Sequence, residues 1–122
     1  MDTLEKLAML EREATDFGFK WGTHEQIMAQ IRSELSEVEV HLKDKDADKL
    51  QEEIGDILHA VFSLCIFCQA DPKRTLTNSV NKFERRFNAV KQIVSEQKLK
   101  SLNGKSFDEL MFFWDKAKEL VG

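Results

Sequence analysis

The chain has 122 residues, of which 42% are hydrophobic and 33% charged, and its formal net charge is −4. This composition is typical of one folded domain covering residues 1–122 and excludes a disordered chain. The negative charge argues against nucleic-acid binding, and with no signal peptide and no bilayer-spanning apolar run we expect a cytoplasmic protein without membrane contact.

One proline and five glycines leave long stretches free of helix breakers, so we predict an all-α bundle of about five helices. Local signals mark their ends. Thr23 with Gln26 and Ser106 with Glu109 are capping boxes, and Asp71 precedes Pro72 at a helix start. The predicted first helix covers about residues 2–16, and the second runs from Thr23 to a turn at residues 43–46. The third, fourth and fifth cover about residues 47–69, 72–98 and 106–120.

The third predicted helix is apolar on nearly every side beyond Ile54. A helix of that kind is buried from several directions, which in a small protein indicates a subunit interface. Cys65 and Cys68 lie in this apolar stretch, and we interpret them as core residues instead of a redox or zinc motif. In the fourth helix, the residues expected to face inward are Leu76, Val80, Phe83, Phe87, Val90 and Val94.

Two pairs of acidic residues indicate a cation site. Glu34 and Glu37 are three positions apart on the second helix, as are Glu53 and Asp56 on the third. Each pair shares one helix face, and the short turn makes the helices antiparallel neighbours. Four converging carboxylates suit Mg²⁺ or Mn²⁺, which prefer oxygen ligands. The alternative is that these residues are solvated surface acids. Glu52 either orients a metal ligand or is solvated, and we expect it to be solvated.

Basic and aromatic residues form further pairs at helical spacing. Lys82 and Arg86 are four positions apart, as are Trp114 and Lys118. Such pairs bind phosphate oxygens and stack on a base, although an exposed basic edge and core packing of the Trp are the alternatives. Two residues near the start of the second helix, Trp21 and His24, are candidates for a base pocket.

Five sequence blocks resemble the MazG family of nucleotide pyrophosphohydrolases. They are W-G-T-H-E-Q-I (21–27), E-L-S-E-V (34–38), E-E-I-G-D-I-L (52–58), N-K-F-E-R-R-F (81–87) and F-F-W-D-K-A-K (112–118). They occur in the family's order and near its spacing. The family signature E-E-x-x-E has Ser33 in place of its first Glu in this chain, which affects any additional metal or water-activating role there.

The resemblance implies Mg²⁺-dependent hydrolysis of a (deoxy)nucleoside triphosphate to the monophosphate and pyrophosphate. We expect a house-cleaning role, because a compact single-domain form suits one. The resemblance also implies a homodimer, or a homotetramer made of two dimers. The implied metal ligands are Glu34, Glu37, Glu53 and Asp56. We expect one carboxylate of this set, Glu37 or Glu53, to accept the proton of the attacking water. The implied phosphate and nucleotide contacts are Lys82, Arg86, Trp114 and Lys118.

Three alternatives accompany this interpretation. A non-enzymatic helical interaction module explains the bundle but not the acids and basic pairs. A family member that binds nucleotide without turnover is suggested by Ser33. A di-iron bundle is suggested by His59, three residues after Asp56, but that fold needs two such motifs and the second helix offers none.

Overall fold

The computed structural model describes all 122 residues and contains five α-helices and no strand. The helices are α1 (Thr3–Phe17), α2 (His24–Asp44), α3 (Ala47–Phe67), α4 (Pro72–Glu96) and α5 (Phe107–Val121). The predicted all-α fold is confirmed, and the boundaries differ from the predicted ones by a residue or two. No single helix is long and apolar enough to cross a membrane; α3 and α4 meet those requirements only when taken together as a bent pair.

The helix ends form where their local signals predict. Thr23 Oγ1 accepts a hydrogen bond from the Gln26 amide, and the Gln26 side chain accepts one from the Thr23 amide. Ser106 and Glu109 form the same reciprocal box at the start of α5. Asp71 accepts a hydrogen bond of 2.8 Å from the Arg74 amide before α4. These caps satisfy amides that have no partner in the first helical turn.

Contacts divide the chain into two compact units, Met1–Thr75 and Leu76–Gly122. In the first unit α2 packs mainly against α3, and α1 packs against α3 as well. The buried residues of this unit are Ile27, Ala60, Ser63 and Pro72. Since α2 and α3 are the principal contact, their facing side chains form the centre of this unit.

The second unit has its own apolar core, formed where α4 packs against α5. The core residues are Ala89, Val90, Ile93, Val94, Phe113 and Ala117. Leu99, Leu102 and Trp114 pack against them and are partly buried. Burial of this apolar surface is the main term stabilising the pairing of the two helices.

Four apolar residues of α4 do not face inward as predicted. Val90 and Val94 are buried, but Leu76, Val80, Phe83 and Phe87 are 45%, 54%, 57% and 46% exposed. The shorter α5 has 15 residues against the 25 of α4, so it covers only part of the longer helix. The prediction is therefore wrong for these four residues within a single chain.

The prediction that both cysteines belong to the core is also wrong. Cys68 is exposed and Cys65 is half-buried, and both thiols are free. Cys68 follows the last residue of α3, where the chain leaves the packed face of the helix. The Cys65 Sγ lies 3.3 Å from Thr75 Oγ1 and 3.4 Å from the Ala70 carbonyl oxygen, which gives this thiol a local polar environment.

Candidate functional site

The facing surfaces of α2 and α3 bring the four predicted acids together. Carboxylate oxygens of Glu34, Glu53 and Asp56 lie within 4.8 Å of one another. A second group is formed by ligand atoms of Glu37, His41 and Glu53, which also lie within 4.8 Å of one another. Glu53 is thus common to two groups. We call Glu34, Glu37, Glu53 and Asp56 the acid cluster; Glu52, next to it in sequence, is exposed as predicted.

Burial and neighbouring charges perturb the Glu53 carboxyl. Its side chain is 20% exposed, and burial raises the pKa of Glu53 above its ordinary value. The adjacent carboxyls of Glu34, Asp56 and Glu37 raise that pKa further. Like charges held this close disfavour one another's ionisation. A divalent cation among these oxygens would relieve the repulsion, and an all-carboxylate donor set is the one that hard ions prefer.

His41 is a neighbour of the acid cluster that sequence reasoning missed. Its Nε2 lies 3.9 Å from Glu53 Oε1, and its side chain is 15% exposed. The buried Nδ1 has no hydrogen-bond partner. His41 is four residues after Glu37, so the helical spacing that paired the acids also places it on the face of Glu37.

A cleft of about 430 Å³ adjoins the acid cluster. Its lining residues come from the segment before α2 and from α2 and α3; they are Trp21, Gln30, Glu34, Asp56, His59, Ala60 and Ser63. Gln30 donates a 2.7 Å hydrogen bond to Glu34 and thereby orients that carboxylate. The cleft therefore combines two of the acids with the indole ring of Trp21.

One acid of α1 is bonded to two lining residues of this cleft. Ser63 Oγ donates a 2.6 Å hydrogen bond to Glu11 Oε1, and His59 Nε2 lies 3.1 Å from the same oxygen. The sequence pattern indicates His59 only as part of a di-iron motif and does not indicate Glu11, Gln30 or Ser63. The separation of 48 and 52 residues between the partners leaves no periodic signal for this contact.

His24 is not among the residues that line the cleft. It is exposed at the start of α2, and its Nε2 lies 3.1 Å from a carboxylate oxygen of Glu25. Ser33, which replaces the first acid of the family signature, is also exposed. Of the two base-pocket candidates, the structure therefore places Trp21 but not His24 in the cleft.

The two basic and aromatic pairs predicted at helical spacing belong to the second unit. The Arg86 guanidinium lies 5.6 Å from the ring centroid of Trp114, and its Nε donates a 2.9 Å hydrogen bond to the Gly122 carbonyl. Lys118 lies 3.5 Å from Asp115, and Lys82 is exposed. The sequence spacing predicted that Arg86 acts together with Lys82. In the structure, the packing of α4 against α5 instead brings Arg86 into contact with Trp114.

Comparison with known proteins relates the chain to one family. Residues 22–91 match the model of the MazG nucleotide pyrophosphohydrolase domain. This range of the chain includes the whole acid cluster. The chain is 30% identical over 109 residues to the nucleoside triphosphate pyrophosphohydrolase/pyrophosphatase MazG of Thermotoga maritima. It is 27% identical over 120 residues to the nucleoside triphosphate pyrophosphohydrolase of Escherichia coli K12.

These alignments cover most of this chain but only part of each relative. They include 89% and 97% of the chain against 41% and 45% of the two relatives, respectively, so the chain spans less than half their length. A third relative, the uncharacterized protein YabN of Bacillus subtilis, is 33% identical over 70 residues. Because the family's domain model covers more than half of the chain, the protein belongs to the MazG nucleotide pyrophosphohydrolase family.

Proposed function

We propose that the chain hydrolyses (deoxy)nucleoside triphosphates to the monophosphate and pyrophosphate. The observation that carries the proposal is the convergence of four acids from two helices beside a cleft, in a chain of this family. The relatives from Thermotoga maritima and Escherichia coli carry names that describe this activity. A house-cleaning role in the nucleotide pool is part of the same proposal.

In this proposal Glu34, Glu37, Glu53 and Asp56 hold Mg²⁺, with Mn²⁺ as a substitute. The fit is supported by the all-oxygen donor set and by the raised pKa of Glu53, since a cation lowers the repulsion that causes part of that shift. When bound, the ion supplies charge neutralisation at phosphate oxygens and a lower pKa for a coordinated water.

The chain's own side chains have separate roles in the proposal. Glu37 or Glu53 accepts the proton that the attacking water loses. Lys82, Arg86 and Lys118 contact phosphate oxygens and steady the departing pyrophosphate, because cations at these oxygens stabilise the charge that develops there. Trp21 and Trp114 are separate candidates for stacking on the nucleobase.

We further propose a homodimer, which can pair into a homotetramer. Two helices of the single chain expose apolar faces at helical spacing. On α3 these are Ile54, Leu58 and Val61, and on α4 they are Leu76, Val80, Phe83 and Phe87, all between 44% and 57% exposed. Apolar faces of this kind mark interaction surfaces, and a second copy of the chain supplies a matching apolar surface.

Release of pyrophosphate from the eight common nucleoside triphosphates, with and without Mg²⁺, tests the activity. We expect Mg²⁺-dependent release from at least one of them, with equal amounts of monophosphate and pyrophosphate. Saturable nucleotide binding without release would instead identify a family member that has lost turnover. If no nucleotide is bound and none releases pyrophosphate, the result would favour the helical interaction module.

A further inference from the structure

His41 adds a nitrogen donor to one side of the acid cluster. Ligand atoms of Glu37, His41 and Glu53 lie within 4.8 Å of one another. His41 is four residues after Glu37 on α2, so both side chains lie on one face of that helix, and Glu53 comes from α3. The other group, made of Glu34, Glu53 and Asp56, offers oxygen donors only. The two groups therefore share Glu53 but differ in their donor chemistry.

The ring nitrogens of His41 lie near carboxylates without being hydrogen-bonded to them. Nε2 lies 3.9 Å from Glu53 Oε1, and Nδ1 lies 4.0 Å from Asp44 Oδ2. The His41 side chain is only 15% exposed, and its Nδ1 is buried without a hydrogen-bond partner. A buried polar nitrogen without a partner is unfavourable, and ion binding at the ring is one arrangement that accounts for it.

The separation between His41 Nε2 and Glu53 Oε1 suits two ligands of one ion. Atoms that are each about 2.1 Å from a shared ion lie roughly 3 to 4 Å apart, whereas hydrogen-bonded atoms lie about 2.7 to 3.2 Å apart. Coordination through Nε2 places the ring proton on Nδ1, the nitrogen that is near Asp44 Oδ2. Metal-bound histidines usually donate this second N–H to a carboxylate, carbonyl or water. Asp44 is thus in position to become the missing partner of Nδ1.

We infer that Glu37, His41 and Glu53 bind a transition-metal ion, and that the His41 nitrogen makes this group prefer Zn²⁺ to Mg²⁺. The inference rests on the proposed function for the cation-binding role of Glu37 and Glu53, and it adds a ligand and a second class of metal. Imidazole nitrogen is a good ligand for Zn²⁺ and related ions, whereas Mg²⁺ is held by oxygen ligands.

Metal titrations without nucleotide test the inference. Calorimetry measures the dissociation constants of Zn²⁺ and Mg²⁺ for the parent chain, for His41→Gln and for His24→Gln. All three proteins carry Cys68→Ser, because the exposed Cys68 thiol is a competing zinc ligand. His24 is the matched control, since it is an exposed histidine on the same helix.

The deciding quantity is the change in the ratio of the two affinities, because most sites with nitrogen or oxygen donors bind Zn²⁺ more tightly than Mg²⁺. His41→Gln should weaken Zn²⁺ binding by about tenfold or more and Mg²⁺ binding by less than about threefold. His24→Gln should change neither affinity. If His41→Gln weakens the binding of both ions by the same factor, or of neither ion, the inference is overturned.

A second measurement on the parent chain needs no substitution of His41 and decides the question if that variant folds poorly. Nitrogen NMR of the imidazole rings identifies which ring nitrogens bind Zn²⁺. We expect saturating Zn²⁺ to shift the His41 Nε2 resonance, and an unshifted resonance would overturn the inference. Zn²⁺ binding through His41 in a chain that hydrolyses no nucleotide would remove the proposed function and leave this inference standing.

Discussion

At the scale of single residues, the position of Glu53 has two opposing consequences. It suits the binding of a cation, and it destabilises the fold when no cation is bound. Its pKa is raised first by burial and then by Glu34, Asp56 and Glu37. A carboxyl with a raised pKa in the folded state destabilises that state when it is ionised. This unfavourable contribution is complete above the folded pKa and disappears as the pH falls to the unfolded value. The geometry that suits a cation therefore lowers the stability of the chain when no cation is bound.

The substitution Glu53→Gln separates these two effects. At neutral pH and in the presence of a chelator, we expect the variant to have a higher melting temperature than the parent, because the charge repulsion is removed. We also expect Mg²⁺-dependent hydrolysis to fall by about a hundredfold or more. Differential scanning fluorimetry and pyrophosphate release measure the two effects. Glu52→Gln, which changes an exposed neighbouring acid, should leave both unchanged. Parent-rate hydrolysis by Glu53→Gln would refute the metal assignment.

Individual helices are held by caps and by a few ion pairs between elements. Asp2 caps α1 and accepts a 2.7 Å hydrogen bond from Lys73 in the first turn of α4. Lys73 also lies 3.4 Å from Glu5. The hydrogen bond from Lys73 holds the pKa of Asp2 below its ordinary value, and Asp2 in turn raises the pKa of Lys73. The pair thus connects the start of α1 with the start of α4.

The pair should contribute to stability only in a defined pH window. The contribution of Asp2 is present above its unfolded pKa and is lost as the pH falls through the lower folded pKa. The contribution of Lys73 is present below its unfolded pKa and is lost as the pH rises through the higher folded pKa.

We expect Lys73→Met to be less stable than the parent between about pH 5 and 9, and the difference to shrink outside that range. Urea unfolding at several pH values measures this. Lys100→Met is the control, and a pH-independent difference would contradict the prediction.

The capping box of α5 permits a second prediction for a single element. Ser106 Oγ accepts a hydrogen bond from the Glu109 amide. The Glu109 carboxylate accepts hydrogen bonds from the amide and the hydroxyl of Ser106, and these two bonds hold the pKa of Glu109 below its ordinary value. Ser106→Ala should lower the free energy of unfolding by about 1 kcal/mol, because an amide of the first turn loses its partner. Equilibrium denaturation measures the change. Ser101→Ala, outside any helix, should have a smaller effect, and equal effects would exclude a capping contribution.

At the scale of the whole molecule, packing within a single chain leaves the apolar faces of α3 and α4 exposed to water. The helix α4 alone exposes four large apolar side chains, those of Leu76, Val80, Phe83 and Phe87. Leaving them in water is unfavourable by roughly 25 cal/mol for each Å² of apolar surface. Association with a second copy removes this surface from water, and this is the physical basis of the proposed homodimer.

The substitution Val80→Asp tests that assembly. Val80 is 54% exposed in the chain, so the change should leave the fold of a single chain intact and place a charge in the proposed interface. We expect the variant to sediment as a monomer at concentrations where the parent is a dimer or tetramer. Asn88→Asp adds the same charge at an exposed polar position of α4 and should retain the parent assembly. A parent chain that is monomeric at all concentrations would remove the proposal.

The sequence by itself determined the helices and the identity of the acid cluster. Capping residues such as Thr23 and Ser106 act within a few positions, and the spacing of Glu34 from Glu37 follows from helical geometry. Only the tertiary structure decided that Glu11 bonds to Ser63 and that His41 adjoins Glu53. It also decided that Phe83 and Cys68 are exposed. These features depend on which helices pack together and how far they cover each other, and side-chain periodicity within one helix does not contain that information.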